Sequence, residues 1–318
     1  MELIDINIET LTTEEKIQHI KELKKERNAV ILAHYYQDPD IQDIADFIGD
    51  SLALSQYAQK VEQDVILFCG VNFMAETAKI LNPTKKIIVP DLMAGCSLAD
   101  SAPADEYKEW IDAHPNSVVV SYINTSAEVK ALSDIICTSS NATKIVNSIP
   151  TDKQVLFGPD KFLGSFVKQT TNRDIILWDG ACIVHQKFSE EKVKQMIAEN
   201  PDAEVLAHPE CPPNILKYAD IIGSTTKIIS RAVESEKQKF IILTEPGVIH
   251  QMQKLAPEKI YLEVPDLEGC SCNMCPFMRL NTLDKIISAL ENLAPEVDVQ
   301  EEIRQKALLP IQKMLELS

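Results

Sequence analysis

One phrase recurs three times along this chain: an apolar run, a short break containing Asp, then cysteine. Residues 86–98 read K-I-I-V-P-D-L-M-A-G-C-S-L and place Cys96. Residues 174–185 read D-I-I-L-W-D-G-A-C-I-V-H and place Cys182. Residues 259–275 read K-I-Y-L-E-V-P-D-L-E-G-C-S-C-N-M-C and place Cys270, Cys272 and Cys275. Other landmarks keep the same step. His34 and Tyr122 are 88 residues apart, and Tyr122 and His208 are 86 apart. Ser51 and Ser139 are 88 apart, Ser139 and Thr225 are 86 apart, and Cys96 and Cys182 are 86 apart. A fixed period of this kind means one supersecondary unit used three times, and it narrows the fold more than any composition does.

Within each period the pattern alternates short apolar runs with helical periodicity. The first unit reads as a helix over 12–28, a strand over 29–33, helices over 41–47 and 52–61, a strand over 64–69, a helix over 72–81 and a strand over 86–89. The second reads as a helix over 104–113, a strand over 117–120, a helix over 126–136, a further helix ending at 149, then a strand over 154–157, a helix over 161–169 and a strand over 174–178. The third repeats this with a helix over 189–199, a strand over 203–207, helices over 213–222 and up to about 236, a strand over 240–243, a helix over 247–255 and a strand over 260–264. Helices over 281–293 and 301–317 close the chain, the second predicted to kink or break at Pro310. Strands alternating with helices predict an α/β fold: three three-layer αβα units with parallel sheets, arranged around a pseudo-three-fold axis with the active site at its centre. The expected divisions are 1–100, 101–187, 188–280 and a C-terminal helical segment 281–318. Parallel sheets bind ligands beyond the carboxyl ends of their strands, and the polar landmarks fall at such ends.

The net charge of -17 disfavours nucleic acid or an anionic membrane as partner. The N-terminal residues lack the basic-then-apolar pattern of a signal peptide, and no apolar run reaches spanning length. A cytoplasmic protein is expected. In a reducing compartment its eight cysteines point away from a disulfide framework and towards metal binding, catalysis or burial.

Three sets of residues carry the chemistry. Cys96 and Cys182 read singly as small buried side chains, but their matched place in the repeat favours ligation. Three thiolates on three loops do not make a typical structural zinc site; three is the number that leaves one iron of a [4Fe–4S] cluster open to substrate. Repeat arithmetic points to Cys270 as the third ligand, since it lies 88 residues beyond Cys182. Cys272 and Cys275 form a lone C-x-x-C. Cys69 and Cys137 read as packing. The second set is His34, Tyr36, Tyr122, Asn124, His208 and Glu210, with a His or Tyr at each first-strand end and a polar side chain two residues on, on the same face of an extended segment. Such groups move protons or orient substrate. The third set, Ser51, Ser139, Ser224 and Thr225, precedes predicted helices. It reads equally as N-caps and as an anion-binding set, because free amides and a hydroxyl at a helix start serve both purposes. His185, just past Cys182, reads either as a surface residue or as an outer partner of a cluster.

At these residues the chain resembles the quinolinate synthase family. The resemblance runs from about 29 to 280 and rests on A-H-Y-Y-Q at 33–37, G-D-S at 49–51, F-M-A-E-T at 73–77, A-G-C at 94–96, Y-I-N-T at 122–125, G-x-C-x-V-H at 180–185, H-P-E-C at 208–211, G-S-T at 223–225 and C-P-F-M at 275–278. It implies a transferase of NAD biosynthesis that condenses iminoaspartate with dihydroxyacetone phosphate to quinolinate, with loss of phosphate and two waters. It implies a [4Fe–4S] cluster held by Cys96, Cys182 and Cys275, and L-aspartate oxidase as a functional partner. Glu210 is implied as a base near the open iron. Tyr36, Tyr122, His34 and His208 are implied as proton carriers, and Asn124, Ser51, Ser139, Ser224 and Thr225, with His34, Tyr122, His208 and Glu210, as substrate-binding groups. Some relatives carry C-x-x-C-x-x-C in the last motif; here Gly269 stands at the first of those positions, with Cys270 beside it. Two other functions fit the same residues: a different [4Fe–4S] hydro-lyase on this architecture, and a non-catalytic iron or small-anion binding protein.

Overall fold

The computed structural model describes residues 8–265 and 273–318, so Cys270 and Cys272 lie outside the described residues. Three four-stranded parallel sheets form from consecutive thirds of the chain. The first holds β1 (Ala29–His34), β2 (Phe47–Gly49), β3 (Val65–Cys69) and β4 (Lys86–Ile88) in the order β2-β1-β3-β4. The second holds β5 (Val118–Tyr122), β6 (Ile135–Cys137), β7 (Val155–Gly158) and β8 (Ile175–Leu177) in the order β6-β5-β7-β8. The third holds β9 (Glu204–Ala207), β10 (Ile221–Ile222), β11 (Lys239–Leu243) and β12 (Ile260–Glu263) in the order β10-β9-β11-β12. Helices flank each sheet, as expected for three repeated αβα units.

The apolar runs follow from burial on both faces. In the first sheet, Val30, Leu32, Ile66, Phe68 and Ile87 face one core, while Ile31, Ala33, Val65, Leu67 and Ile88 face another. The third sheet divides its residues in the same alternation, with Leu206, Phe240 and Ile242 on one side and Val205, Ala207, Ile241 and Leu243 on the other. Period-two geometry therefore puts His34 on the face of Val30 and Leu32.

One expectation fails three times in the same way. Residues 41–47, 126–136 and 213–222 read as unbroken helices, but each ends early and the chain enters a short edge strand: β2, β6 or β10. The switch is made at an aspartate. Asp46, Asp134 and Asp220 each accept, through Oδ2, the backbone N–H of the central strand at 2.8 Å, from Ile31, Val119 and Val205 respectively. Each also donates its own N–H back to the same residue's carbonyl, at 2.9, 3.0 and 2.9 Å. Strands of two or three residues are too short for periodicity to reveal.

The closing helices do different jobs. Leu283–Asn292 lays Ile286, Ile287 and Leu290 against Ile20, Leu23, Leu67 and Ile88 of the first unit. Glu301–Glu316 runs unbroken through Pro310 and packs Ala307, Ile311 and Met314 into the core shared by the first and second units, which corrects the expected break. Among the described residues no helix is long and apolar enough to cross a membrane.

Candidate active site

A cavity of about 640 Å³, its mouth included, is lined by residues of all three units. His34, Tyr36, Ser51, Cys96, Tyr122, Asn124, Ser139, Cys182, His208, Glu210, Thr225 and Cys275 all face it; among the described residues predicted for the site, only Ser224 does not. Ser224 is instead the N-cap of the helix Thr225–Glu234, its hydroxyl accepting from Lys227 N–H. The other expected caps are not caps. Asp50 caps the helix Ser51–Ala58, and Asn141 stands at the N-cap of Ala142–Ser148, which leaves the Ser51 and Ser139 hydroxyls to the cavity.

The three cysteines have one local geometry. Backbone N–H groups favour the thiolate at each sulfur: those of Leu98 and Ala99 at Cys96, of Val184 and His185 at Cys182, and of Phe277 and Met278 at Cys275. Each sulfur thus sits in a nest made by the second and third residues after it. Burial pushes the Cys96 thiol up to about 12, with the neighbouring Cys275 and Glu210 opposing its ionisation further. Burial likewise raises Cys182, with Glu210 and Cys96 adding to it, and raises Cys275. Three thiols that resist joint ionisation, aimed at one space and already furnished with N–H donors for sulfur, fit a cationic metal centre that stabilises the thiolates. Cys69 and Cys137 are wholly buried in the core, where burial alone raises their thiols. A tighter group also stands in the cavity: the ligand atoms of Cys182, His185 and Glu210 lie within 4.8 Å of one another and could hold a single metal ion.

The two histidines are fixed by a shared turn. Tyr36 N–H donates to His34 Nδ1 at 3.2 Å, and Glu210 N–H donates to His208 Nδ1 at 3.4 Å. An Nδ1 that accepts leaves Nε2 as the N–H donor in each neutral ring. Burial lowers His34 to about 4 and His208 to about 3, so both rings are neutral near pH 7. Glu210 is 3% exposed. Its Oε2 lies 2.7 Å from His185 Nδ1, off the direction of the ring N–H, and 3.8 Å from His208 Nδ1. Burial works against its charge, but the adjacent His185, then His208 and the Tyr122 hydroxyl, outweigh this and hold the carboxyl below the usual range. Tyr122 is raised by burial and by that carboxylate.

Tyr36 joins a second string. Its Oη lies 3.0 Å from Thr225 Oγ1 and 2.9 Å from Thr244 Oγ1, and Thr244 Oγ1 lies 3.0 Å from His185 Nε2. Asn124 Oδ1 is buried at the cavity wall with no protein partner among the described residues. Four participants escaped the sequence reading: Asp50, Asp160, Thr244 and Glu245. The last three follow the third strand of their sheets, where the first unit carries Gly70 and Val71 and so no matching polar type. Asp160 is raised well above its ordinary range by burial and by Glu210. Glu245 accepts from Cys275 N–H at 3.3 Å and from Arg279 at 2.6 Å, which ties down the third cysteine's loop.

Comparison with known proteins agrees along almost the whole chain. The family described as Quinolinate synthetase A protein matches residues 18–316. A quinolinate synthase of Trichodesmium erythraeum is 60% identical over 299 residues, covering 94% of this chain and 93% of the relative. One of Gloeothece citriformis is 59% identical with the same coverage, and one of Microcystis aeruginosa is 57% identical, covering 94% of each chain.

Proposed function

The chain belongs to the quinolinate synthase family, and on that premise we propose that it condenses iminoaspartate with dihydroxyacetone phosphate, releasing quinolinate, phosphate and two waters. The observation that carries this reading is the threefold sulfur nest opening onto a cavity lined by hydroxyls from every unit. Cys96, Cys182 and Cys275 would hold a [4Fe–4S] cluster; the matching nests favour Cys275 over Cys270 as third ligand. When bound, such a cluster supplies a Lewis-acidic iron with one position free of protein ligands.

The chain's own groups divide the remaining work. His34 and His208 present Nε2–H donors, which suit a carbonyl or carboxylate oxygen of the substrates. Ser51, Ser139 and Thr225 offer hydroxyls to the carboxylates and the phosphate, and Ser224 holds the helix start that presents Thr225. Asn124 Oδ1 accepts from a substrate N–H or O–H, which would give that buried oxygen the partner it lacks. Glu210, ionised and beside Tyr122, takes protons as condensation proceeds, and Tyr122 and Tyr36 carry protons to and from oxygens of the intermediates. Val71, Phe73, Met74 and Met278 form an apolar wall that excludes water, which matters because an imine hydrolyses readily. That fragility also makes an oxidase of L-aspartate the fitting supplier, in a cytoplasmic setting where the thiols stay reduced. The unit divisions proposed from the repeat, 1–100, 101–187, 188–280 and 281–318, fit the residue ranges of the three sheets.

The test is an anaerobic assay for quinolinate with dihydroxyacetone phosphate and freshly generated iminoaspartate, run beside iron and sulfide analysis. The expected result is turnover by brown protein carrying about four irons and comparable sulfide per chain. One iron or zinc without sulfide would favour a single ion at Cys182, His185 and Glu210. A brown protein that makes no quinolinate but dehydrates a hydroxy acid would favour the hydro-lyase reading.

A further inference from the structure

Asp50 binds the three units to one another at the wall of the cavity. Its side chain is buried, at 7% exposure, and lines the cavity. Oδ1 accepts Ala53 N–H at 3.0 Å, within the first unit. Oδ2 accepts the Ser140 hydroxyl of the second unit at 3.1 Å and the Thr226 hydroxyl of the third at 2.7 Å. In the register of the repeat, Ser140 and Thr226 each stand one residue after a cavity hydroxyl, Ser139 or Thr225. The equivalent place in the first unit is Leu52, because there the acceptor itself comes from the neighbouring residue. One carboxylate, itself next to Ser51, therefore holds the residues next to Ser139 and Thr225.

A carboxylate is a costly choice at this place. The ligand proposed for the cavity is anionic, and a like charge beside it weakens binding unless it performs another task. Two hydroxyl donors and a backbone amide engage the charge and give it that task. We propose that Asp50 is a positioning residue that fixes the mutual spacing of Ser51, Ser139 and Thr225, so that three hydroxyls from three units meet the carboxylates of one ligand as a single cradle. This rests on the anion-binding role given above to those hydroxyls.

The test measures quinolinate binding to the cluster-loaded enzyme by anaerobic calorimetry, with steady-state kinetics, iron content and melting temperature alongside. Ser140→Ala/Thr226→Ala changes only exposed residues and leaves Asp50 in place. It is expected to weaken quinolinate binding and to raise KM by about tenfold, with kcat and iron content little changed. Ser140→Thr/Thr226→Ser, which keeps both donors, restores binding. Asp50→Ala also weakens binding if the carboxylate acts as a tie, but tightens it if the carboxylate merely repels the ligand. Wild-type affinity in the double alanine variant, or tighter binding by Asp50→Ala, overturns the inference. Ser51→Ala/Ser139→Ala separates this from the parent reading: if that pair binds quinolinate normally, the cradle itself is wrong.

Discussion

Thr244 shows how much of this site depends on a residue with no chemistry of its own. It stands between Tyr36 and His185, and both contacts are near 3 Å. A hydroxyl there can donate to one neighbour while accepting from the other, which sets the direction of the Tyr36 O–H. Valine is similar in shape and lacks the hydroxyl, so Thr244→Val would leave Tyr36 Oη with the Thr225 contact but without the partner that sets its direction. The expected outcome is a fall in kcat of about 10- to 100-fold at nearly constant KM, with iron content retained and recovery in Thr244→Ser. Steady-state kinetics on anaerobically purified variants checks it. Glu210→Gln is expected to lose about 100-fold or more in kcat with the proposed cluster intact, and full turnover by that variant would refute the proposed base. His34, Tyr122, His208 and Glu210 were legible in the sequence because a residue type or its spacing recurs. Asp50 was not, because its repeat partners are Thr138 and Ser224 and no shared type marks the position. Thr244 was missed for a similar reason, since its counterparts after β3 and β7 are Gly70 and Pro159; Asp160 and Glu245 do match each other, but Val71 stands in that place in the first unit.

At the scale of elements, the long strands and helices were legible because periodicity has room to show itself there. The edge strands were not, since β2, β6 and β10 hold two or three residues each and continue an apolar helical pattern. The signal that could have found them is the recurring aspartate of the D-F-I-G, D-I-I-C and D-I-I-G segments. Asp134→Ala should leave Val119 N–H without its acceptor and lower stability by about 1–3 kcal/mol, measured as a shift in the urea midpoint. The helix Ala127–Leu132 carries a second testable device. Lys130 is fully buried, donates to Thr125 O and lies 5.4 Å from the centre of the Phe73 ring. Glu76 and Glu128 are the carboxylates that act on it, and Glu76 also accepts Ala127 N–H at 2.9 Å. Burial brings the Lys130 ammonium down to about 8 despite those acids. Between pH 8 and its ordinary value near 10.5 the folded protein holds Lys130 neutral while the unfolded chain still binds the proton, so this residue's contribution to stability rises with pH. The buried thiols act in the opposite sense, because their raised values make folding less favourable as pH climbs above about 9. Comparing wild type with Lys130→Met cancels the thiols. Wild type should gain on the variant by up to about 3 kcal/mol across that window, and a constant difference would show that Lys130 does not titrate there.

For the whole molecule, the core and the site are one body. The cluster of buried residues that joins the first two sheets also includes Tyr122 and Met278, and Tyr36, Cys96, Cys182 and Cys275 pack against it at its edge. The C-terminal helix completes that cluster with Ile311 and Met314, both fully buried, and Asn141, which holds the turn carrying Ser139, donates to Ser318 at 2.8 Å. A helix remote in sequence thus supports the wall on which two units meet. Ile311→Ala removes packing atoms from a place with little room to collapse and should cost about 2–5 kcal/mol. Its functional effect depends on how the site is built. If the cavity walls keep their places without this packing, the variant melts earlier yet keeps normal iron and normal KM at low temperature. If the cavity exists only while the units are held together, iron is lost at temperatures well below the main transition, because the first and second cysteines sit on separate units joined by this core. The second outcome is expected. Following the loss of the proposed cluster's visible absorbance and the far-ultraviolet circular dichroism on one anaerobic sample during heating tells the two apart: coincident transitions in wild type, and separated ones in Ile311→Ala.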